Sequence, residues 1–289
     1  MQIKAIACEL PSKMGLPFSR FSHGDIAQEA IRQEIVASLS GTTVWRWLNA
    51  DAIKPWSFRS WIFPRDPHFL QKASPILDLY QGVWEGRPLG PTDYVISADE
   101  KTSIQCRERL HESLPSLPGQ SRRVEFEYER GGAVAYMAAW DVRRAKLFGI
   151  CGENTGIDPF HRLVDLVMQQ EPYKSAHRVF WITDNGSSHR GTPSIRRLSE
   201  WYPQAQQIHT PVHASWLNQI EIYFSIVQRK VLTPNDFLNL AALKKQIMDF
   251  QQYYEHIAKP FQWKFTRDDL KRMLFRIASE NLHQEKHAA

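Results

Sequence analysis

The run Val179-Phe180-Trp181-Ile182 passes directly into Thr183-Asp184-Asn185-Gly186. Apolar β-branched and aromatic residues closed by an Asn-Gly turn signal read as a strand that delivers an acid at its C-terminal end. Further on, His213-Ala214-Ser215-Trp216-Leu217-Asn218-Gln219-Ile220-Glu221 leads into a segment where Leu217, Ile220, Phe224, Val227 and Val231 recur at helical spacing. That stripe predicts a helix over 215–231, with Asn218, Glu221 and Ser225 side by side along its edge. A second acid, Asp99, closes another apolar run, Tyr94-Val95-Ile96-Ser97-Ala98. Two strand-borne acids and one helix-borne acid would be drawn together at the C-terminal ends of strands, where α/β sheets place their ligands.

The intervening chain fits that frame. Arg122–Tyr128 and Ala133–Trp140 are expected as two strands of a hairpin turned at Arg130-Gly131-Gly132, and Lys146–Cys151 as a further strand after the turn at Asp141–Arg144. Helices are expected over 159–170, 193–201 and 240–256, and a short strand near Gln207-Ile208-His209. A meander followed by strands alternating with helices predicts an α/β domain, a mixed sheet flanked by helices.

Ahead of it, Ile26, Ala27, Ala30, Ile31 and Ile35 repeat at helical spacing, then Ser38-Leu39-Ser40-Gly41 breaks the pattern before Thr42-Thr43-Val44-Trp45-Arg46-Trp47-Leu48. Two short helices joined by a tight turn fit a small all-α helix-turn-helix module. Ser40 would cap the second helix and Val44 and Leu48 would pack inward, leaving Thr42, Thr43 and Arg46 for DNA. A plain helical hairpin with a solvated arginine is the competing reading. The expected division is a helix-turn-helix region at 1–53, a Pro- and Trp-rich linker at 54–92 interrupted by one helix over about 67–80, a catalytic domain at 93–258 and a C-terminal helical tail at 259–289, frayed after Ser279.

Composition narrows the partners. A net charge of +5 suits a polyanion without identifying one. Three cysteines, Cys8, Cys106 and Cys151, are too few and scattered for a disulfide framework or a zinc site, which points to a reduced cytoplasmic setting. No apolar run is long enough to span a membrane, and the N-terminus shows no signal-peptide pattern. The arginines at 107 and 109, 122 and 123, 143 and 144, and 196 and 197 read as solvated charge, some of it available to phosphate.

Three carboxylates offer hard oxygen ligands, which suit Mg²⁺ or, in its place, Mn²⁺. Two such ions could activate a water or a 3′-hydroxyl and stabilise the leaving oxygen of a phosphodiester. Glu100 adjoins Asp99, but neighbours on a strand face opposite ways, so only one can serve. His209 and His213 have i, i+4 spacing, yet Pro211 between them excludes a helix and leaves a zinc site disfavoured. His189 is a candidate for phosphate contact or for a structural role.

Ser97-Ala98-Asp99-Glu100-Lys101-Thr102, Thr183-Asp184-Asn185-Gly186-Ser187-Ser188-His189 and His209-Thr210-Pro211-Val212-His213-Ala214-Ser215-Trp216-Leu217-Asn218-Gln219-Ile220-Glu221 resemble, in order, the three blocks of bacterial mariner-like insertion-sequence transposases. Ala7-Cys8-Glu9-Leu10-Pro11 and the Ser40–Leu48 segment resemble that family's linker and second helix-turn-helix. The resemblance implies a ribonuclease-H-like catalytic domain in which Asp99, Asp184 and Glu221 hold two Mg²⁺. It further implies recognition of terminal inverted repeats, nicking and strand transfer of the element into target DNA, and action as a homodimer, nucleoid-associated when DNA-bound. Asp184 and Glu221 are separated by 36 residues, slightly more than the group's usual spacing. Relatives carry another helix-turn-helix ahead of the segment matched here, so a truncated or shortened binding region is expected. The rival readings are a non-catalytic DNA-binding remnant or repressor and a ribonuclease-H-like nuclease acting on RNA.

Overall fold

The computed structural model describes residues 1–57, 64–186 and 191–288, with side chains as far as Ser279. The chain forms two compact units, Met1–Phe63 and Pro64–Ala289.

In the first unit, α1 (Gln2–Cys8), α2 (His23–Arg32) and α3 (Gly41–Ala50) enclose Ile6, Ala7, Phe21, Ile26, Ala27, Ala30, Val44 and Leu48. Ser22 starts α2 with a reciprocal cap, accepting from Asp25 N–H while the Asp25 carboxylate accepts from Ser22 N–H. Ser40 caps α3 through Thr43 N–H, as its position before the helix predicts. Helix α2 is shorter than its periodicity suggests. It ends at Arg32, followed by Glu34 with φ of 57°, so Ile31 is left exposed. Glu29 is buried in its place, clamped by Arg32 and Gln33.

The second unit opens with α4 (Phe69–Tyr80) and a ribbon of β1 (Val83–Trp84) and β2 (Arg87–Pro88), inside the stretch expected as a linker. Helix α4 is amphipathic enough to pack on the main core through Ile76 and Leu79 and on Leu217 and Leu270 through Leu77. Then follow β3 (Asp93–Glu108), β4 (Glu129–Asp141), β5 (Leu147–Gly152), α5 (Ile157–Met168), β6 (Arg178–Thr183), α6 (Gly191–Trp201), β7 (Ala205–His209), α7 (Ile220–Lys230), α8 (Leu240–Ile257) and α9 (Arg267–Ala288). Helix α9 thus continues beyond Ser279, where fraying was expected.

The sheet order is β5-β4-β3-β6-β7, with an antiparallel meander of β3, β4 and β5 and with β6 and β7 parallel to β3. Alternation sorts its side chains into two cores. Val95, Val134, Tyr136, Ala138, Trp140, Phe180 and Ile182 pack against α7 and α8, while Ile96, Ala98, Met137, Ala139, Val179 and Trp181 pack against α5 and α6. Among the described residues no helix is long and apolar enough to cross a membrane.

One expected hairpin is overturned. Arg130-Gly131-Gly132 lies within β4, whose antiparallel partner is β3, and Arg122–Tyr128 forms no strand beyond an isolated bridge of Arg123 with Leu114. These glycines serve close approach instead of a turn. A Cβ on Gly131 would stand 3.3 Å from Cys106 Sγ, and one on Gly132, at φ 97°, 3.3 Å from Leu240.

Candidate active site

Strand parity and register decide which acids meet. The last paired residues of β3 and β6 are Ser97 and Ile182; two positions further on stand Asp99 and Asp184. Asp99 follows Val95 and Ser97 on the side covered by α7, whereas Glu100 follows Ile96 and Ala98 on the other. Asp184, the first residue past β6, continues the side of Phe180 and Ile182. Glu221 lies in the first turn of α7 on that same face of the sheet. Burial pushes its carboxyl above the usual carboxylate range; nearby Lys101 opposes the rise and Asp184 adds to it.

The helix expected over 215–231 is divided. A 3₁₀ turn, Ser215–Leu217, is followed by Asn218 in extended conformation (φ −87°, ψ 112°), and α7 begins only at Ile220. The buried stripe of Leu217, Ile220, Phe224, Val227 and Val231 is present, but Asn218 lies off the helix edge. Its side chain turns into the sheet, accepting from Ser97 Oγ–H and donating to Ala98 O at 2.9 Å and Asp99 Oδ2 at 3.4 Å. Ser97 Oγ in turn accepts from Ile220 N–H at 2.9 Å. The break therefore has a cause: a fully buried amide and hydroxyl find their partners across the helix–sheet junction, at the cost of one helical turn.

Two further tethers hold the approach to α7. Tyr80 donates its hydroxyl to Leu217 O at 2.7 Å and accepts from Gln219 N–H. Asp66 accepts from Lys72 Nζ at 2.7 Å, from His68 N–H and from Val212 N–H. Lys72 and the two backbone donors hold its carboxyl at about 2, against the penalty of its burial. Beside Asp184, Asn185 donates to Thr210 O and Gly186 N–H returns to Asp184 Oδ1. None of Ser97, Tyr80, Asp66 or Lys101 stood out as functional in the sequence. Ser97 left a trace there, as the one aliphatic hydroxyl within the run Tyr94–Ala98.

The three acids are neighbours in the fold without being closed into a cage. Among the described residues no three His, Cys, Asp or Glu side chains are gathered as a metal-binding group, His209 and His213 included. As donors, the acids still fit hard divalent ions: all are carboxylates, and a cation would offset both the burial that chiefly raises Glu221 and the smaller repulsion from Asp184. In the N-terminal unit Thr42 and Arg46 are exposed on α3, while Thr43 is half-buried with its hydroxyl 2.9 Å from Ser40 Oγ. Trp45 and Trp47, each 44% exposed, flank Arg46. His189 lies outside the described residues.

Residues 94–244, a little over half the chain, match the family described as DDE superfamily endonuclease. The chain belongs to that family. All three acids of this DDE endonuclease fall inside the matched range. Its fold is shared with two solved Mos1 structures. The Mos1 mariner paired end complex with Mn is 14% identical, with a TM-score of 0.54 over 88% of this chain and 72% of that one. A pre-cleavage Mos1 transpososome is 13% identical, with a TM-score of 0.51 and the same coverage. No curated protein matches the endonuclease by sequence. The mixed five-stranded sheet with helices on both faces is thus the ribonuclease-H-like sheet expected from the three motif blocks.

Proposed function

We propose that this DDE endonuclease is a DNA transposase that cuts and rejoins phosphodiesters at Asp99, Asp184 and Glu221. The observation that carries the reading is the register itself: two acids level on adjacent parallel strands, both on the side from which α7 presents the third. The fold shared with a Mos1 complex solved with Mn supports the same reading. The three carboxylates would hold two Mg²⁺, or Mn²⁺ in their place. Such ions supply an activated water or 3′-hydroxyl and charge stabilisation at the leaving oxygen. The protein's own part is to bring half-buried acids together despite their repulsion, and the tethers at Asn218, Tyr80 and Asp66 supply that rigidity.

The substrates in this reading are the terminal inverted repeats of the element and then the target DNA, handled by a homodimer. Helix α3 of the N-terminal unit would read the repeats through Thr42, Thr43 and Arg46. Thr43 also completes the cap of α3, so Thr42 and Arg46 would carry most of the contact.

Nicking of supercoiled DNA in Mg²⁺ tests the proposal. Wild type should nick, and Asp99→Asn, Asp184→Asn and Glu221→Gln should each abolish nicking while retaining DNA binding in a gel shift. Equal cleavage by wild type and Asp184→Asn would overturn the endonuclease assignment and leave a non-catalytic DNA-binding remnant. Cleavage confined to RNA–DNA hybrid would favour the ribonuclease instead.

A further inference from the structure

We infer that the cleft between the distal half of β3 and the C-terminal half of α7 is a binding groove for the phosphodiester backbone of one DNA strand leading away from the three acids. The inference rests on the endonuclease reading above for its direction, but its observations are independent of it. The cleft has a volume of about 370 Å³, too small for a duplex, and its walls include Lys101, Gln105, Arg107, Arg109, Gln228 and Asn235. No carboxylate among the described residues lines it. Among the described residues none of its three cations forms an ion pair within 4 Å.

Both walls start at the acids. Lys101 is two residues beyond Asp99 on β3, and its charge reaches Glu221. Gln228 is seven residues beyond Glu221, hence on the same edge of α7 and about 10 Å further along it. Beyond Lys101 the pairing of β3 with β4 slips between Lys101 and Ile104 and again between Gln105 and Arg107, with Ser103 at φ 54°. Such irregularities bend a strand and re-aim its side chains. Here the two slips fall between Lys101 and Arg107, and Lys101, Arg107 and Arg109 line the one cleft around them.

The groove is also built to stay charged. Arg109 donates to Glu125 O at 2.6 Å and to Asn235 O, and Arg107 lies 4.4 Å over the Tyr128 ring. Carbonyls and a ring face orient a guanidinium without cancelling its charge. Asn235 stitches the two walls, donating to Gln105 O and accepting from Arg107 N–H. Asp236 accepts from Arg109 N–H, and Arg109 also lines a second cleft with Glu108, Glu125, Glu127 and Glu129, which leaves Lys101 and Arg107 as the cations of this cleft alone. Oriented, unneutralised cations with amides between them suit a chain of phosphates and sugars.

The test uses the full chain without metal and a fluorescent single-stranded oligonucleotide, with binding followed by anisotropy across salt concentrations. Lys101→Gln with Arg107→Gln removes two phosphate contacts. The slope of log affinity against log salt should become shallower by about 1.4, a loss of roughly 25-fold at 0.1 M relative to 1 M salt. Arg143→Gln with Lys174→Gln, the same charge change at exposed positions away from the cleft, should leave the slope unchanged. In a second measurement, Gln228→Cys in a Cys8→Ser background should form a disulfide with a strand carrying a thiol tether near its end, and Lys174→Cys should not. Equal slopes for wild type and the Lys101/Arg107 variant, or equal crosslinking at positions 228 and 174, would overturn the groove. Because both readouts omit metal, absent nicking with intact crosslinking would sink the endonuclease reading alone. Intact nicking with equal slopes would sink the groove alone.

Discussion

Asn218→Ala should uncouple α7 from β3 and thereby separate Glu221 from Asp99. The amide is buried and makes two good bonds, from Ser97 Oγ–H and to Ala98 O, and a longer one to Asp99 Oδ2. Truncation leaves the buried Ala98 carbonyl and the Ser97 hydroxyl proton without these partners, at about 1–3 kcal/mol for each unsatisfied group. A destabilisation of about 2–6 kcal/mol follows, set against the roughly 5–15 kcal/mol that domains possess, so rates are compared at equal folded fraction. Nicking should fall further than stability, because a displacement near 1 Å between reacting groups can cost about 100-fold. Urea unfolding gives the first quantity and initial nicking rates in Mg²⁺ the second. The decisive comparison is a double-mutant cycle with Ser97→Ala. If hydroxyl and amide act as one latch, the two losses overlap by at least about 0.5 kcal/mol. Additive losses, or an Asn218→Ala enzyme that is destabilised yet nicks at the wild-type rate, would refute the positioning role.

Two further outcomes follow from the tethers and from α3. With its folded pKa near 2, below the ordinary carboxylate value of about 4, Asp66 contributes stability that is present above pH 4 and lost as pH falls towards 2. The stability difference between wild type and Asp66→Asn, measured by urea unfolding across that range, should shrink on acidification; a constant difference would remove the charge from the explanation. Arg46→Ala should weaken binding to element ends by about 1–3 kcal/mol if the guanidinium reads a base, while nonspecific nicking is unchanged. Equal gel-shift affinities for mutant and wild type would take α3 out of the recognition surface.

Local patterns in the chain were enough to place the elements that carry the acids. The apolar run before Asp184 forms β6, the stripe after Ser215 is buried, and Ser40, Val44 and Leu48 cap and fill α3 as their spacing demands. Those features depend on near neighbours, through alternation, helical periodicity and capping. Parity also puts Asp99 and Glu100 on opposite faces from the sequence alone, while the choice of Asp99 between them comes from the resemblance of its motif block.

What local pattern misplaced was decided at long range. Gly131 and Gly132 carry a turn signal, yet Cys106 and Leu240 occupy the space that side chains would need, so β4 passes through them and pairs with a long β3. Asn218 has helical neighbours on both sides but leaves the helix because Ser97 and Ala98, some 120 residues earlier, offer buried polar partners. The helix expected over about 67–80 is present as α4, but it is no linker element: Ile76, Leu77 and Leu79 are buried against the sheet and Leu217. The sequence by itself determined which strands and which helix would bear the acids, because propensity and periodicity act within a few residues. Only the tertiary structure decided that Asp99 and Asp184 stand level, that Glu221 faces them and that Asn218 joins the two, because pairing register and buried hydrogen bonds are settled between distant segments.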